Sequence, residues 1–102
     1  MPDYVYLWEF EVVPSRCAEF DRHYGPDGAW AALFRRAPGY LGTVLLRDRA
    51  NPLRYLTIDR WSSAEAYRAF RSEFSVPYDE LDRQCEGFAT REESLGEFDA
   101  AD

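Results

Sequence analysis

The stretch from residue 54 to residue 74 changes its hydrophobic period within two residues, and this change restricts the fold more than any other feature. In residues 54–61 the side chains alternate between two faces, which is the period of a β-strand. One face carries Tyr55, Thr57, Asp59 and Trp61. This segment therefore predicts a strand with one aromatic and polar face.

The residues that follow have the pattern of a capped helix. Ser62 and Glu65 have the spacing of a capping box, in which each side chain binds an unpaired amide of the first helical turn. Helical spacing places Arg68, Arg71 and Glu73 on the solvent-facing side of the helix. The core-facing side carries the aromatic residues Tyr67, Phe70 and Phe74. Trp61 lies at the junction, where a pocket between sheet and helix would open.

The other elements follow from similar patterns. We predict strands over 4–12, 40–47 and 88–98, and helices over 14–24, from a cap at Asp27 to Phe34, and over 77–85. Gly42 inside the second strand suggests a bulge. The order is β-α-β-β-α-β with both helices broken in two, so we expect an α+β, ferredoxin-like protomer with a four-stranded antiparallel sheet. Residues 1–98 would form the single domain and 99–102 a disordered tail.

The first strand predicts a homodimer. One face carries Tyr4, Tyr6, Trp8, Phe10 and Val12, and the other begins with Val5 and Leu7 and ends with Glu9 and Glu11. A sheet with apolar residues on both faces must be covered on both sides, and this chain has helices for one side only. A second copy would cover the other.

Composition excludes several classes of function. A net charge of −7 argues against nucleic acid, because phosphate binding needs a clustered basic surface. No apolar run approaches the roughly 20 residues of a membrane span, so we expect no membrane contact and a cytoplasmic location. One His and two Cys offer no metal spacing, and no Ser-His-Asp set, phosphate loop or flavin fingerprint is present. We therefore expect no metal and no other cofactor.

Four segments resemble the antibiotic biosynthesis monooxygenase family of dimeric α+β barrels. They are WEFEV, HYGPDGAW, RRAPGYLGTVLLR and YLTIDRWSSAEAYRAF, which fall in the expected order within a match over about four-fifths of the chain. The resemblance implies a ferredoxin-like protomer that pairs through its open sheet face, with a cavity between sheet and helices in each protomer.

The resemblance also implies site residues. Cofactor-free oxygenases of this family use a Trp at the end of the third strand and a Tyr six residues later, and Trp61 and Tyr67 stand there. Thr57 replaces an Asn of those enzymes, and Arg83 is the nearest candidate for an Arg on the later helix. Haem-degrading relatives need an Asn, a Trp and a His where this chain has Trp8, Phe70 and either Tyr78 or Glu80, so no iron ligand is left.

A cofactor-free oxygenase must deprotonate a phenol or enol, hold the flat anion and exclude water. We expect the substrate-binding residues to be Trp8, Tyr24, Trp30, Thr57, Phe70 and Arg83. His23, the only histidine, is the natural base, and the alternative interpretation is a half-exposed helix-end His favoured by the carbonyl dipole. Asp59 is expected in a structural ion pair with Arg47 or Arg91, and Glu9 and Glu11 are interpreted in the same way.

The leading hypothesis is a homodimeric, cofactor-independent monooxygenase that acts on a small aromatic or polyketide-like molecule, with Trp61, Tyr67 and His23 as catalytic residues. Two alternatives remain open. The chain could be a dimeric barrel that binds a hydrophobic ligand or assists a pathway without turnover. It could also be an isomerase, cyclase or decarboxylase on the same fold, whose reaction would not depend on oxygen.

Overall fold

A computed structural model describes residues 2–101 and confirms the α+β, ferredoxin-like architecture. The strands are β1 (Tyr4–Val12), β2 (Tyr40–Arg47), β3 (Arg54–Trp61) and β4 (Ala89–Asp99). A 3₁₀ turn at Pro14–Arg16 leads into α1, and the helices are α1 (Cys17–Tyr24), α2 (Ala29–Phe34), α3 (Ala64–Glu73) and α4 (Ser75–Gln84). In residues 2–101 no helix is long and apolar enough to cross a membrane.

The four strands form one antiparallel sheet in the order β2-β3-β1-β4. The register places Asp59 of β3 between Tyr6 of β1 and Thr43 of β2. A register shift beside Gly42 confirms the predicted bulge in β2. The sheet therefore brings together polar and aromatic residues that lie far apart in the sequence.

The helices cover the face that carries Tyr55, Thr57, Asp59 and Trp61, and the core between them is built mainly of rings. Trp61, Phe20 and Phe70 are almost completely buried there. The rings of Phe34, Tyr40 and Tyr67 pack edge-on against Trp61 at centroid distances of 5.4–5.6 Å. Such contacts add to the free energy of burying the rings, so they help to fix the junction between β3 and α3.

The other face of the sheet is open in the single chain. Val44 and Leu46 of β2 and Phe98 of β4 each expose nearly half of their surface. Leu56 and Ile58, which pair with the two β2 residues, are half-buried. Glu9 binds Arg54 and Arg91 at one end of this face, as expected for a structural ion pair.

The capping of α3 differs from the prediction. Ser63, not Ser62, is the N-cap, and its hydroxyl accepts a hydrogen bond from the amide of Ala66 at 3.1 Å. The amide of Ser62 donates to the carbonyl of Gly39 at 2.7 Å. This bond holds Ser62 at the end of the sheet, so the helix begins one residue later and Glu65 does not complete a capping box.

The cap of α2 also differs. Gly28, not Asp27, precedes the helix, and no side chain caps it. A Cβ atom on Gly28 would lie 2.6 Å from the carbonyl oxygen of Arg22, so close approach to the end of α1 requires glycine there. Asp27 is exposed.

The C-terminal elements begin or end beside the predicted bounds. The first turn of α4 includes Pro77, where a missing amide costs no hydrogen bond, so the break falls at Phe74. Strand β4 reaches Asp99, and the amide of Ala100 donates to the carbonyl of Asp3 at 2.9 Å. The strand therefore extends one residue beyond its predicted end. The disordered tail over residues 99–102 stays a prediction, and its last residue lies outside the described residues.

Candidate functional site

A cavity of about 150 Å³ lies between the sheet and the helices. Five of the predicted site residues line it: Trp8, Tyr24, Trp30, Thr57 and Tyr67. The remaining wall comes from Tyr6, Phe10, Phe34, Thr43, Asp59, Arg71, Tyr78, Asp82 and Glu92. Trp8, Arg71, Asp82 and Glu92 are exposed, so the cavity opens to solvent on their side.

Trp61 lies behind the cavity wall and has no exposed surface. Its indole Nε1–H donates to the hydroxyl oxygen of Tyr6 at 3.4 Å, and Tyr6 lines the cavity. Trp61 can therefore influence a bound molecule by orienting the Tyr6 hydroxyl. Phe70, also predicted to bind substrate, packs beside Trp61 and does not line the cavity.

Two other predicted residues lie away from the cavity. Nδ1 of His23 is 2.8 Å from the carbonyl oxygen of Glu19, which makes it the donor, and the ring packs edge-on against Phe88. Arg83 is exposed on α4. Neither is among the lining residues.

Asp59 is a buried carboxylate in the cavity wall. It accepts a short hydrogen bond from the hydroxyl of Thr43, whose oxygen is 2.6 Å from the hydroxyl of Tyr40. The predicted ion pair is wrong: within the part of the chain that the structure describes, no Arg lies within ion-pair distance of Asp59. Arg47 instead lies over the ring of Tyr55, and Arg91 binds Glu9.

Burial controls the protonation of Asp59. Loss of water raises the pKa of its carboxyl from 3.8 to about 6, although the hydrogen bond from Thr43 acts in the opposite direction. At neutral pH the group is therefore mainly ionised, yet it can accept or release a proton within about one pH unit of neutrality. This is the range in which a general acid or base works best.

Arg71 provides the positive charge of the cavity wall. Its guanidinium lies 3.9 Å from the ring centroid of Tyr78 and donates to the hydroxyl of Tyr67 at 3.2 Å. Among the described residues no carboxylate forms an ion pair with it. An anion in the cavity could therefore bind Arg71 without displacing a carboxylate.

The phenols and indoles of the wall supply neutral donors. Burial raises the pKa of Tyr6 and Tyr24 far above the ordinary value of 10 and that of Tyr78 to about 12, so these hydroxyls stay protonated. The buried Nε1–H of Trp30 has no hydrogen-bond acceptor among the residues described. An unpaired buried donor carries a desolvation cost that a ligand oxygen could relieve.

Sequence patterns missed the importance of Asp59 and Arg71. The alternation with Trp61 did place Asp59 on the cavity face. Whether an Arg side chain lies beside its carboxylate depends on the packing of residues that are distant in the sequence. Arg71 follows Tyr67 by one helical turn, a spacing at which side chains meet. The contact of its guanidinium with the ring of Tyr78 could not be predicted, because it depends on the position of α4.

The fold and the cavity define a small ferredoxin-like protein with a cavity lined mainly by aromatic rings. A protein-family model for antibiotic biosynthesis monooxygenases matches residues 9–75, so the chain belongs to this family. A search of curated protein sequences finds no match.

Solved structures agree with this assignment. A variant of SnoaB, a cofactor-independent oxygenase from Streptomyces nogalater, is 24% identical and superposes with a TM-score of 0.82 over 100% of this chain and 96% of that chain. A protein from Bordetella bronchiseptica with the provisional name antibiotic biosynthesis monooxygenase is 25% identical, with a TM-score of 0.76 and 99% of both chains covered. At these identities the first match establishes the fold alone.

Proposed function

We propose that the protein is a homodimeric, cofactor-independent monooxygenase that acts on a small aromatic or polyketide-like molecule. The observation that carries the proposal is the composition of the cavity wall. Aromatic rings form most of it, and protonated hydroxyls, an indole N–H and Arg71 supply the polar groups. Rings hold a flat substrate, and the donors stabilise an oxyanion that forms on it.

The reaction requires the protein only to bind the substrate and to remove a proton from it. A hydroxyaromatic substrate with an activated methylene loses a proton, and the resulting carbanion transfers one electron to O₂. The substrate radical and superoxide combine to a peroxide, which becomes a carbonyl as water leaves. One oxygen atom is then in the product and the other in water, so no external reductant is needed.

Family membership and the SnoaB-like fold support this reaction, since SnoaB is a cofactor-independent oxygenase on the same protomer architecture. The site differs in two respects from the expectation for catalytic residues, because neither His23 nor Trp61 lines the cavity. Tyr67 lines the cavity and binds Arg71, whereas Trp61 lies behind the wall and its indole N–H donates to the hydroxyl of the cavity residue Tyr6. Tyr67 would therefore contact substrate, and Trp61 would act through Tyr6.

Oxygen uptake by metal-free protein with a panel of anthrones and hydroquinones tests the proposal. We expect turnover, a loss of about 100-fold in Tyr67→Phe because one oxyanion donor is removed, and a loss of about 10-fold in Trp61→Phe because one hydrogen bond is removed. Tyr55→Phe is the matched control, since that hydroxyl is buried, has no hydrogen-bond partner among residues 2–101, and does not line the cavity. Absence of oxygen uptake with every substrate would refute the proposal.

A second candidate is an isomerase or cyclase, and the buried carboxylate of Asp59 favours it specifically. Proton transfer by such a group requires no oxygen. The two candidates differ under anaerobic conditions, where an isomerase or cyclase would still convert its substrate and an oxygenase would not.

A further inference from the structure

The proposed reaction needs a proton acceptor, and His23 cannot act from its place outside the cavity. Asp59 is the alternative. Its side chain lies in the cavity wall at the centre of the sheet and is 7% exposed. Thr43 donates to one carboxylate oxygen, Oδ1. No other hydrogen bond to the carboxylate is formed by the residues that the structure describes, so Oδ2 is free to accept a proton.

The groups around Asp59 do not neutralise its charge. Its charge faces Tyr6 on β1, Tyr40 on β2 and Tyr78 on α4. Burial, and to a smaller extent this charge, raises the pKa of all three phenols, so they stay protonated. The other titratable groups of the cavity are Tyr24, Tyr67, Arg71, Asp82 and Glu92. A buried carboxylate without a cation is costly to a fold, so its presence in a cavity points to function.

We propose that Asp59 is the catalytic base of this cavity, that Thr43 positions it, and that the substrate is a neutral hydroxyaromatic ketone with an acidic C–H bond. This inference rests on the proposed function only for the class of substrate. In the step, a free lone pair of the Asp59 carboxylate forms an O–H bond as the substrate C–H bond breaks. The electron pair stays on the substrate as an enolate, whose oxygen lies towards Tyr67 and Arg71.

Anaerobic hydrogen exchange tests this step apart from oxygenation. A dihydroxyanthrone is incubated with the protein in D₂O, and loss of the methylene signal is followed by proton NMR. We expect the protein to accelerate exchange above the buffer rate and Asp59→Asn to reduce this acceleration by about 100-fold or more. Asp79→Asn makes the same chemical change at an exposed site of α4 outside the cavity and should leave it unaltered.

The pH profile and the Thr43 variants test the role of Asp59 without removing it. Exchange should rise with pH to a plateau with a midpoint near pH 6, since burial raises the pKa of Asp59 to about 6. Thr43→Val removes a bond that lowers this pKa, so the midpoint should move to higher pH. Thr43→Ser keeps the hydroxyl and should restore the wild-type midpoint.

The outcomes separate the two proposals. Accelerated exchange that depends on Asp59, without oxygen uptake in air, supports Asp59 as base and refutes the oxygenase. Oxygen uptake that survives Asp59→Asn refutes Asp59 as base and leaves the oxygenase standing. Equal exchange in wild type and Asp59→Asn, or none above buffer in wild type, overturns the inference.

Discussion

Burial of the Asp59 carboxylate lowers the stability of the fold, and the same carboxylate is the base that we propose for the cavity. Its carboxyl is buried among rings and accepts a hydrogen bond from Thr43, and no Arg among residues 2–101 compensates its charge. An unfolded chain would hold the same carboxyl in water. The folded protein therefore binds a proton at Asp59 more tightly than the unfolded chain does, and stability depends on pH.

The sign of this dependence leads to a prediction for Asp59→Asn. Between the pKa of 3.8 in water and about 6 in the fold, the folded state holds more protons, so the free energy of unfolding falls as pH rises through this window. A difference of about two pH units corresponds to about 3 kcal/mol. We expect Asp59→Asn to stabilise the protein by up to about 3 kcal/mol at about pH 8 and to have little effect at about pH 4.

Urea unfolding of both proteins at the two pH values measures this difference. Asp79→Asn is again the control, because its carboxylate is exposed. If Asp59→Asn were less stable than wild type at the higher pH, the burial cost of the carboxylate would have been misjudged.

At the scale of elements, the junction between β3 and α3 holds the site together. Trp61 ends the strand within the ring cluster, and the amide of Ser62 is bound to Gly39 before the helix begins. The first turn of α3 then depends on Ser63, whose hydroxyl binds the amide of Ala66. A loosened first turn would also release Tyr67, which lies one turn further on.

We therefore predict that Ser63→Ala lowers the free energy of unfolding by about 1 kcal/mol, the usual cost of losing an N-cap. Ser62→Ala is the matched control and should change it by clearly less, because only the backbone of Ser62 is bound in this way. Thermal unfolding of the two variants beside wild type gives the comparison. A larger loss in Ser62→Ala would support the capping box that the sequence suggested.

At the scale of the whole molecule, the open face of the sheet is the surface through which we expect two copies of the chain to associate. Its apolar part includes Leu46, Val44 and Phe98, all at least 45% exposed. Its charged end carries Glu9 with Arg54 and Arg91. A contiguous apolar patch of this kind usually marks an interaction surface, and a second copy would bury it against an equivalent patch.

The predicted homodimer can be tested directly. Light scattering at micromolar concentration should give about twice the chain mass of 11.9 kDa. Leu46→Glu places a charge on the proposed interface and should shift the mass to that of one chain, whereas Val76→Glu alters an even more exposed apolar residue on α4 and should not. A monomeric wild type would contradict the dimer and leave the open face unexplained.

Short-range patterns were sufficient for most of the architecture. The period of two in β1 and β3 and the helical spacing of Tyr67 and Phe70 assigned these residues to faces, because such periods follow from backbone geometry alone. The family resemblance was likewise carried by local segments, and the match over residues 9–75 confirms it. Five of the predicted site residues line the cavity for the same reason, since a strand or helix face is readable locally.

Only the tertiary structure decided which rings enclose the cavity and which lie behind its wall. Trp61 meets Tyr6 across 55 positions of sequence, and Asp59 meets Thr43 across 16. The absence of an Arg beside Asp59 and the return of Arg71 over Tyr78 depend on the packing of separate elements. The sequence by itself determined the elements, their faces and the family. The protonation and partners of the cavity groups were decided by packing, because burial and charge neighbours arise from contacts between residues that are distant along the chain.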